Sequence, residues 1–473
     1  MTRARLILGC LFVLAAAVPA VSPAAPRMPV GFQDDPSFRW RKDRTTNFDN
    51  VVATSATIIR STAYWSRVAP TRPANATDPL DPAYHFEDID ELVRSANFRG
   101  MTVLLTIFGT PGWANGNRGD NHAPTNMQDL QNFSQALSAR YSGRITSLGP
   151  LYVRYYSLWN EPNLAQFLAP AYTGGKPSSP AVYARMAKAF IAGVRAGNPR
   201  AQVGIGETSP RGRQRPIGSS TTQETIAPGL FAQLVAKAQP NLKFDAWAHH
   251  PYSGLGQGPT AKVAFPNVNL PQIPTFEKKL QQWFKRKFVK IWITEYGFET
   301  KPGEPKGVTT TQQAAYTKQT MKTISASPYI YMFIWFIFRD DPTSTWQSGL
   351  ENEDNSRKPA FATFTAGARA LDYRSPIVYI KPKSSNPVVR LPLWELFARD
   401  GVGARLGATV RTYFGKKNIA VSQPTATIGV DGYASFVVPL KRAPEHSTFT
   451  ATFQINDSNG NRAFRTAAIV VFP

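Results

Sequence analysis

Two carboxylates stand where a carboxylate has to be explained. Glu161 lies in "YYSLWNEPN" (155–163), between an amide and a proline at the end of an apolar, strand-like run. Glu295 lies in "KIWITEYGFET" (290–300), where a second apolar run delivers the carboxylate and Gly297 turns the chain away. A carboxylate that is desolvated and unpaired is unfavourable, so each position implies a partner or a chemical job. If the two face one another across a small substrate, they have the geometry of glycoside hydrolysis. One carboxyl must be protonated to release the leaving oxygen, and the other ionised to attack or to activate water.

The elements that would position them can be read from the apolar pattern. Short apolar runs closed by polar or Gly-Pro punctuation fall at 28–33, 56–60, 102–108, 152–159, 201–206, 244–248, 289–294 and 329–335. Between them lie helical patterns, among them 88–100, 127–143, 180–199, 310–327 and 358–371, several with a polar residue near the start and Gly or Pro just past the end. Strand-helix alternation of this kind predicts a (β/α)8 TIM barrel over 27–373. From 374 to 473 the texture changes to alternating segments such as "GATVRTYF" and "GYASFVVPL" with no helical period, which predicts a small all-β, Ig-like sandwich. Trp394, Tyr413 and Tyr433 of that segment read either as core aromatics or as a sugar platform.

In such barrels the active site is built at the C-terminal ends of the strands. Glu161 and Glu295 end the fourth and seventh strand candidates, on opposing parts of the barrel wall. The remaining carboxylates at such ends are Asp34, Asp35, Glu207, Asp340 and Asp341, expected to support the site or bind substrate. Trp113, in "GTPGWANG", is expected to offer a stacking platform for the CH face of a sugar.

"WNEPN" (159–163) and "ITEYGF" (293–298) resemble the paired glutamate motifs of the retaining glycoside hydrolases of the (β/α)8 clan, which includes the cellulase-like family 5 and the β-xylosidase-like family 39. The resemblance spans residues 28 to 372. It implies that Glu161 is the general acid/base, that Glu295 is the nucleophile and that Asn160 binds the sugar 2-hydroxyl beside the scissile bond. Arg60 is similar to the clan's arginine that supports the nucleophile. His250 and Tyr252 resemble a His-x-Tyr pair whose tyrosine donates to the nucleophile, and Trp335 the tryptophan that floors the sugar subsite.

The rest of the composition bounds the setting. The 473 residues are 42% hydrophobic and 12% aromatic, a globular composition. Residues 1–25 read as a signal peptide, with Arg3 and Arg5, an apolar run from Leu6 to Val18 and then small residues, so a secreted, extracellular protein is expected. That run is shorter than the roughly 20 residues of a spanning helix, and no membrane span is expected in the mature chain. The single cysteine, Cys10, falls within the leader, which excludes disulfides, thiolate metal sites and a cysteine nucleophile from the mature chain. His122, His249 and His250 show no paired ligand spacing, so neither a metal nor any other cofactor is expected.

The expected partner is a carbohydrate, with neutral β-glycans as the default. A net charge of +23 adds a possible pull toward an anionic cell wall or an acidic glycan, and Arg211, Arg213 and Arg215 in "TSPRGRQRPIGSS" (208–220) fall on the catalytic rim. Nucleic acid is not expected, since no basic-aromatic motif accompanies the charge. The sequence reading is thus a retaining glycoside hydrolase. Its rivals are a transglycosylase using the same residues and a non-catalytic carbohydrate-binding or cell-wall protein on a barrel scaffold.

Overall fold

A computed structural model describes residues 27–471 apart from 149, 150, 219–222 and 431. The leader expected over 1–25 lies outside the described residues. Eight parallel strands form a closed barrel: β1 (Val30–Gln33), β2 (Ile58–Tyr64), β3 (Thr102–Phe108), β4 (Tyr155–Leu158), β5 (Gln202–Thr208), β6 (Ala246–His249), β7 (Lys290–Ile293) and β8 (Ile330–Phe336). β8 closes on β1 with Val30 opposite Phe333 and Gln33 opposite Phe336. Each predicted strand run contains or overlaps one of these strands.

The runs are nearly continuous in apolar residues because both faces are buried, as a parallel sheet covered by helices requires. Alternation still sorts them. Ile58, Leu104, Tyr155, Ala246, Ala248, Trp292, Met332 and Ile334 pack together inside the barrel. Residues such as Ile59, Val103, Leu105, Trp247, Ile291, Phe333 and Trp335 belong to the larger core that the helices cover.

That cover comprises α1 (Arg44–Ala53), α2 (Glu87–Phe98), α3 (Met127–Arg140), α4 (Ser179–Gly197), α5 (Pro228–Ala238), α6 (Ile273–Phe284), α7 (Thr310–Ser325) and α8 (Pro359–Ala370). Several helix starts are chemically marked. Asn126 caps α3 by accepting from Gln128 N–H, and Thr309 with Gln312 forms a capping box on α7. Among the described residues no helix is long and apolar enough to cross a membrane.

The C-terminal segment forms separate sheets. One contains β9 (Ile377–Ile380), β11 (Arg405–Phe414), β12 (Lys417–Ser422), β13 (Thr425–Thr427), β15 (Thr448–Asp457) and β16 (Arg462–Val471), in the order β9-β16-β15-β11-β12 with β13 also on β11. A second pairs β10 (Val388–Pro392) with β14 (Tyr433–Val437). Val389, Leu391 and Phe436 of that pair join Val410, Phe453 and Ile469 of the first sheet in one core.

The sequence reading of this segment as free of helix needs correction, because "WELFARD" forms the helix α9 (Trp394–Asp400). Pro392 ends the preceding strand, and Leu393, Leu396 and Phe397 follow at helical spacing, all buried. This helix forms part of the seam with the barrel. Phe397 packs edge-on against Tyr152 at 5.4 Å, and a Cβ on Gly143 would stand 2.9 Å from Phe397. Tyr433 lies with Arg154 at 5.0 Å and Arg390 at 4.2 Å from its ring, a structural rather than a free platform position. The Trp394 side chain lies outside the described residues.

Replacing Phe397 by Ala removes a fully buried ring from this seam and is expected to destabilise the C-terminal domain by about 3–5 kcal/mol. Scanning calorimetry should register a lowered midpoint for that domain, and an unchanged midpoint would contradict the packing role.

Candidate active site

The loops leaving the C-terminal ends of the strands surround a cleft of about 870 Å³, with Glu161 and Glu295 both in its wall. Glu161 stands on backbone that only its surroundings can hold. Trp159, Glu161 and Glu207 all have positive φ, at 72°, 39° and 47°. Such conformations are disfavoured for residues bearing a Cβ and persist where neighbouring bonds fix them. Glu161 N–H donates to the Glu207 carbonyl at 2.8 Å and Trp159 N–H to the Ile107 carbonyl at 2.7 Å. Asn163, two residues on, accepts from Ser209 N–H and donates to the Ile226 carbonyl, both at 2.9 Å. The turn after β4 is therefore tied to β5 and to the chain entering α5, and Glu161 is aimed by those ties.

Glu295 is held from two sides. Arg60, at 1% exposure, donates from Nη1 to Glu295 Oε1 at 2.6 Å, from Nη2 to Glu207 Oε2 at 3.2 Å and from Nε to Thr106 Oγ1 at 3.0 Å. Its Nη1 also donates to the Gln33 amide oxygen. Tyr252 donates its hydroxyl to the other oxygen, Glu295 Oε2, at 3.1 Å. Burial, and then the Glu295 charge, push that phenol well above its ordinary pKa, so it serves as a neutral donor.

Behind both lies His250, fully buried, with Nδ1 3.1 Å from Glu161 Oε1 and Nε2 2.9 Å from Glu207 Oε2. Burial by itself would lower the imidazolium's pKa, but the surrounding Glu295, Glu161 and Glu207 carboxylates outweigh it and raise it to about 9. The ring is thus protonated at neutral pH and donates from both nitrogens. Glu207 shows the converse. Burial would raise its pKa, yet Arg60 and His250 bring it down to about 2. Thr294 donates a further hydrogen bond to Glu207 Oε2 at 2.6 Å. Burial raises the Glu161 carboxyl above its ordinary value despite the His250 hydrogen bond. The buried cluster thus sets three carboxyls, Glu161, Glu207 and Glu295, against two cations, Arg60 and His250. Its charges balance when one carboxyl keeps a proton, and Glu161 is the one pushed toward keeping it.

The other expected residues divide. Asn160 faces the cleft, and among the described residues no partner engages its side-chain amide. Arg60 supports Glu295, as the resemblance implied, and His250 is sealed with it behind the wall, where both act on the glutamates. Trp335 is not a sugar floor. Strand alternation places it with Phe333 on the outer face of β8, fully buried against Phe364 of α8, with its indole N–H on the Ser348 carbonyl at 2.9 Å. Trp113 is not a cleft platform either. Its N–H donates to the Ala69 carbonyl at 2.8 Å, the Arg72 guanidinium covers its ring at 4.4 Å, and its edge packs on Trp65.

The aromatic walls come from residues passed over in the sequence: Trp40, Tyr64 and Phe108, and, on the loops after β6 and β8, Trp346 beside Tyr252 at 5.0 Å, with Phe336 at the end of β8. Alternation along β8 was the available signal for Phe336; Trp346, in an irregular loop, offered none. Asp34 accepts backbone N–H groups, Asp35 and Asp341 pair with Arg39 and Arg41, and Asp340 pairs with Lys358. These four brace the rim.

Ligand atoms of Glu161, His250 and Glu295 all lie within 4.8 Å of one another, a spacing that would also span a metal ion. In this arrangement both His250 ring nitrogens are already engaged by carboxylates, Nδ1 by Glu161 and Nε2 by Glu207.

The family profile of cellulase, glycosyl hydrolase family 5, matches residues 25–337. The chain is similar in fold to a family 39 glycoside hydrolase from the gut symbiont Bacteroides cellulosilyticus WH2, at 19% identity and a TM-score of 0.53 over 88% of this chain and 80% of that one. It is similar to a glucosidase from Croceicoccus marinus at 10% identity and a TM-score of 0.54, over 91% of this chain and 96% of that one. It is also similar to GH5_18 from Streptomyces cattleya, solved in complex with GlcNAc, at 14% identity and a TM-score of 0.53 over 76% and 85%. No curated protein matches the chain. The family match extends over most of the chain and contains the whole barrel through the end of β8, including both cleft glutamates: this chain belongs to glycosyl hydrolase family 5, the cellulase family, and is a glycosidase.

Proposed function

We propose that the protein is a secreted, retaining glycosidase that cleaves a β-linked oligo- or polysaccharide by double displacement, with Glu161 as acid/base and Glu295 as nucleophile. The observation that carries the mechanism is the pair's separation. One carboxylate oxygen of each lies within 4.8 Å of one of the other, an approach compatible with the roughly 5–5.5 Å of retaining carboxyl pairs.

The surrounding groups suit each role. Glu161, raised by burial and still bonded to His250, is suited to hold a proton for the leaving oxygen. Glu295, gripped by Arg60 and Tyr252, is held in one orientation toward the anomeric carbon. In the first step the Glu295 oxygen bonds that carbon as the glycosidic C–O bond breaks, and the Glu161 proton passes to the departing oxygen. In the second, Glu161 takes a proton from water as its oxygen attacks the same carbon, the ester bond breaks and Glu295 is freed. Two inversions retain configuration. The free Asn160 amide stands where it can meet the hydroxyl next to the scissile bond. Export rests on the leader-like residues 1–25. N-terminal sequencing of protein collected outside an expressing cell should begin near residue 26, and an intact Met1 there would contradict it.

Proton NMR of the first product should show the substrate's anomeric configuration. Glu295→Ala is expected to lower turnover by at least about 10³-fold, with azide restoring part of it as the inverted glycosyl azide. Glu161→Ala should cost about 10²–10⁴-fold on substrates with poor leaving groups, and far less where the leaving group needs no proton. Full activity of the Glu295 variant would sink the assignment.

His250 gives a pH prediction. Its folded pKa, raised from 6.5 to about 9, means that its contribution is fully present below about pH 6.5 and is lost as pH rises through about 9. The loss is on the order of 3 kcal/mol. Thermal midpoints should fall over that window for the wild type, and His250→Gln should start lower and show a flatter profile. An equal slope in both would remove His250 as the cause.

A further inference from the structure

The charges around the cleft leave one cation without an assignment. Asp35 faces Arg39 at 3.5 Å, Asp341 faces Arg41 at 2.9 Å, Glu295 faces Arg60 at 2.6 Å and Glu161 faces His250 at 3.1 Å. Asp34 is satisfied by the backbone N–H groups of Ser37, Phe338 and Arg339 at 3.0, 3.2 and 3.1 Å. Arg211 is the single side-chain cation among the described residues that line the cleft, and among those residues no carboxylate or other side chain pairs with it.

Arg211 is exposed, but its backbone is not loose. Pro210 on one side accepts from Val268 N–H at 2.8 Å, and Gly212 on the other donates to Asn267 Oδ1 at 2.8 Å. Its guanidinium lies against the loop after β6. The Nη2 atom is 2.9 Å from where a Cβ on Gly254 would stand, so the glycine is what permits the approach. Arg213 and Arg215, the other arginines of the loop, do not line the cleft. A guanidinium offers a rigid fork of donors matched to a carboxylate, and one placed in a site whose own acids are already paired is set to bind an anion that the substrate brings. The net charge of +23 would draw a polyanion toward the protein from a distance.

We propose that Arg211 reads a carboxylate on the glycan, which makes the substrate a β-linked chain containing uronate units. The inference rests on the glycosidase reading of this cleft and narrows it from neutral β-glycans to acidic ones.

The test uses the full mature chain and matched pairs of β-1,4-glucan, β-1,4-mannan and β-1,3-glucan oligosaccharides, each neutral, oxidised to the carboxylate at C6, or sulfated at C6. For wild type, kcat/KM on a carboxylated chain should exceed that on its neutral partner by about 10–100-fold at low salt, the scale of a hydrogen-bonded charge. The same ratio measured for Arg211→Gln should fall to within about threefold of unity, through KM rather than kcat. Arg215→Gln, in the same loop but outside the cleft, should keep the wild-type ratio. Equal cleavage of neutral and carboxylated chains by wild type would leave the glycosidase reading standing and overturn this inference, as would a preference that survives in Arg211→Gln. Preference for the sulfated over the carboxylated chain would overturn the carboxylate assignment. If none of the three is cleaved, calorimetric binding of the same oligosaccharides decides. A carboxylate preference lost in Arg211→Gln would support the inference while the proposed function fails, and no preference would overturn it.

Discussion

The guanidinium of Arg60 is the interaction on which the site depends. It is buried to 1% exposure within β2 and reaches Glu207 and Glu295 at once, joining the mouths of β5 and β7 through a single planar group. A buried arginine without partners would be strongly unfavourable, and so would either glutamate left alone beside it. The three are therefore stable only together. His250 extends the same logic, since its ring can stay charged in the barrel interior only because Glu161 and Glu207 accept from its two nitrogens. What results is a charge network whose members fix one another's positions and protonation, and in which Glu161 and Glu295 line the cleft.

The barrel makes that network possible. Eight strands converge on one ring, so residues distant in sequence, such as Arg60, Glu207 and Glu295, emerge side by side from it. The strand runs are apolar on both faces, which leaves the interior beneath the cluster dry and strengthens each ion pair in it. The positive backbone torsions at Trp159, Glu161 and Glu207 are concentrated at this level as well. They are tolerated because the turns are cross-tied between strands, and they direct carboxyls toward the centre that extended backbone would send elsewhere.

The cleft above is shaped by loops rather than strands. Trp40, Tyr64, Phe108 and Trp346 line it with apolar surface, and paired aspartates brace the rim. The C-terminal sheets stand apart from this mouth. Their seam with the barrel runs through Phe397, Tyr152, Arg154 and Tyr433, residues placed before β4 or beyond α8 rather than at the strand ends that line the cleft.

How much of this was legible in advance follows from which forces are local. Hydrophobic period and helix punctuation are local, so the eight strands, the alternating helices and the change to β texture near 374 could be read from the sequence. The pairing of Glu161 with Glu295 was legible too, because each ends an apolar run and barrel topology dictates which ends meet. A side chain's facing near a strand end was not: Trp335 turned outward because it falls one residue off the inward phase of β8, and Trp113 turned into the packing of Trp65 and Arg72. The helix at 394–400 was missed because one turn of apolar spacing after a proline reads much like the strand before it. His250 and Glu207 needed the tertiary structure most. Their protonation, about 9 and about 2 as shifted pKa values, depends on charges contributed by other strands, which no stretch of sequence contains. The sequence by itself determined the barrel and its two facing carboxylates. Only the closed tertiary structure decided that Glu161 is pushed toward keeping a proton and that Arg211 lines the cleft with no paired acid among the described residues, because both depend on burial and on distances between residues brought together by folding.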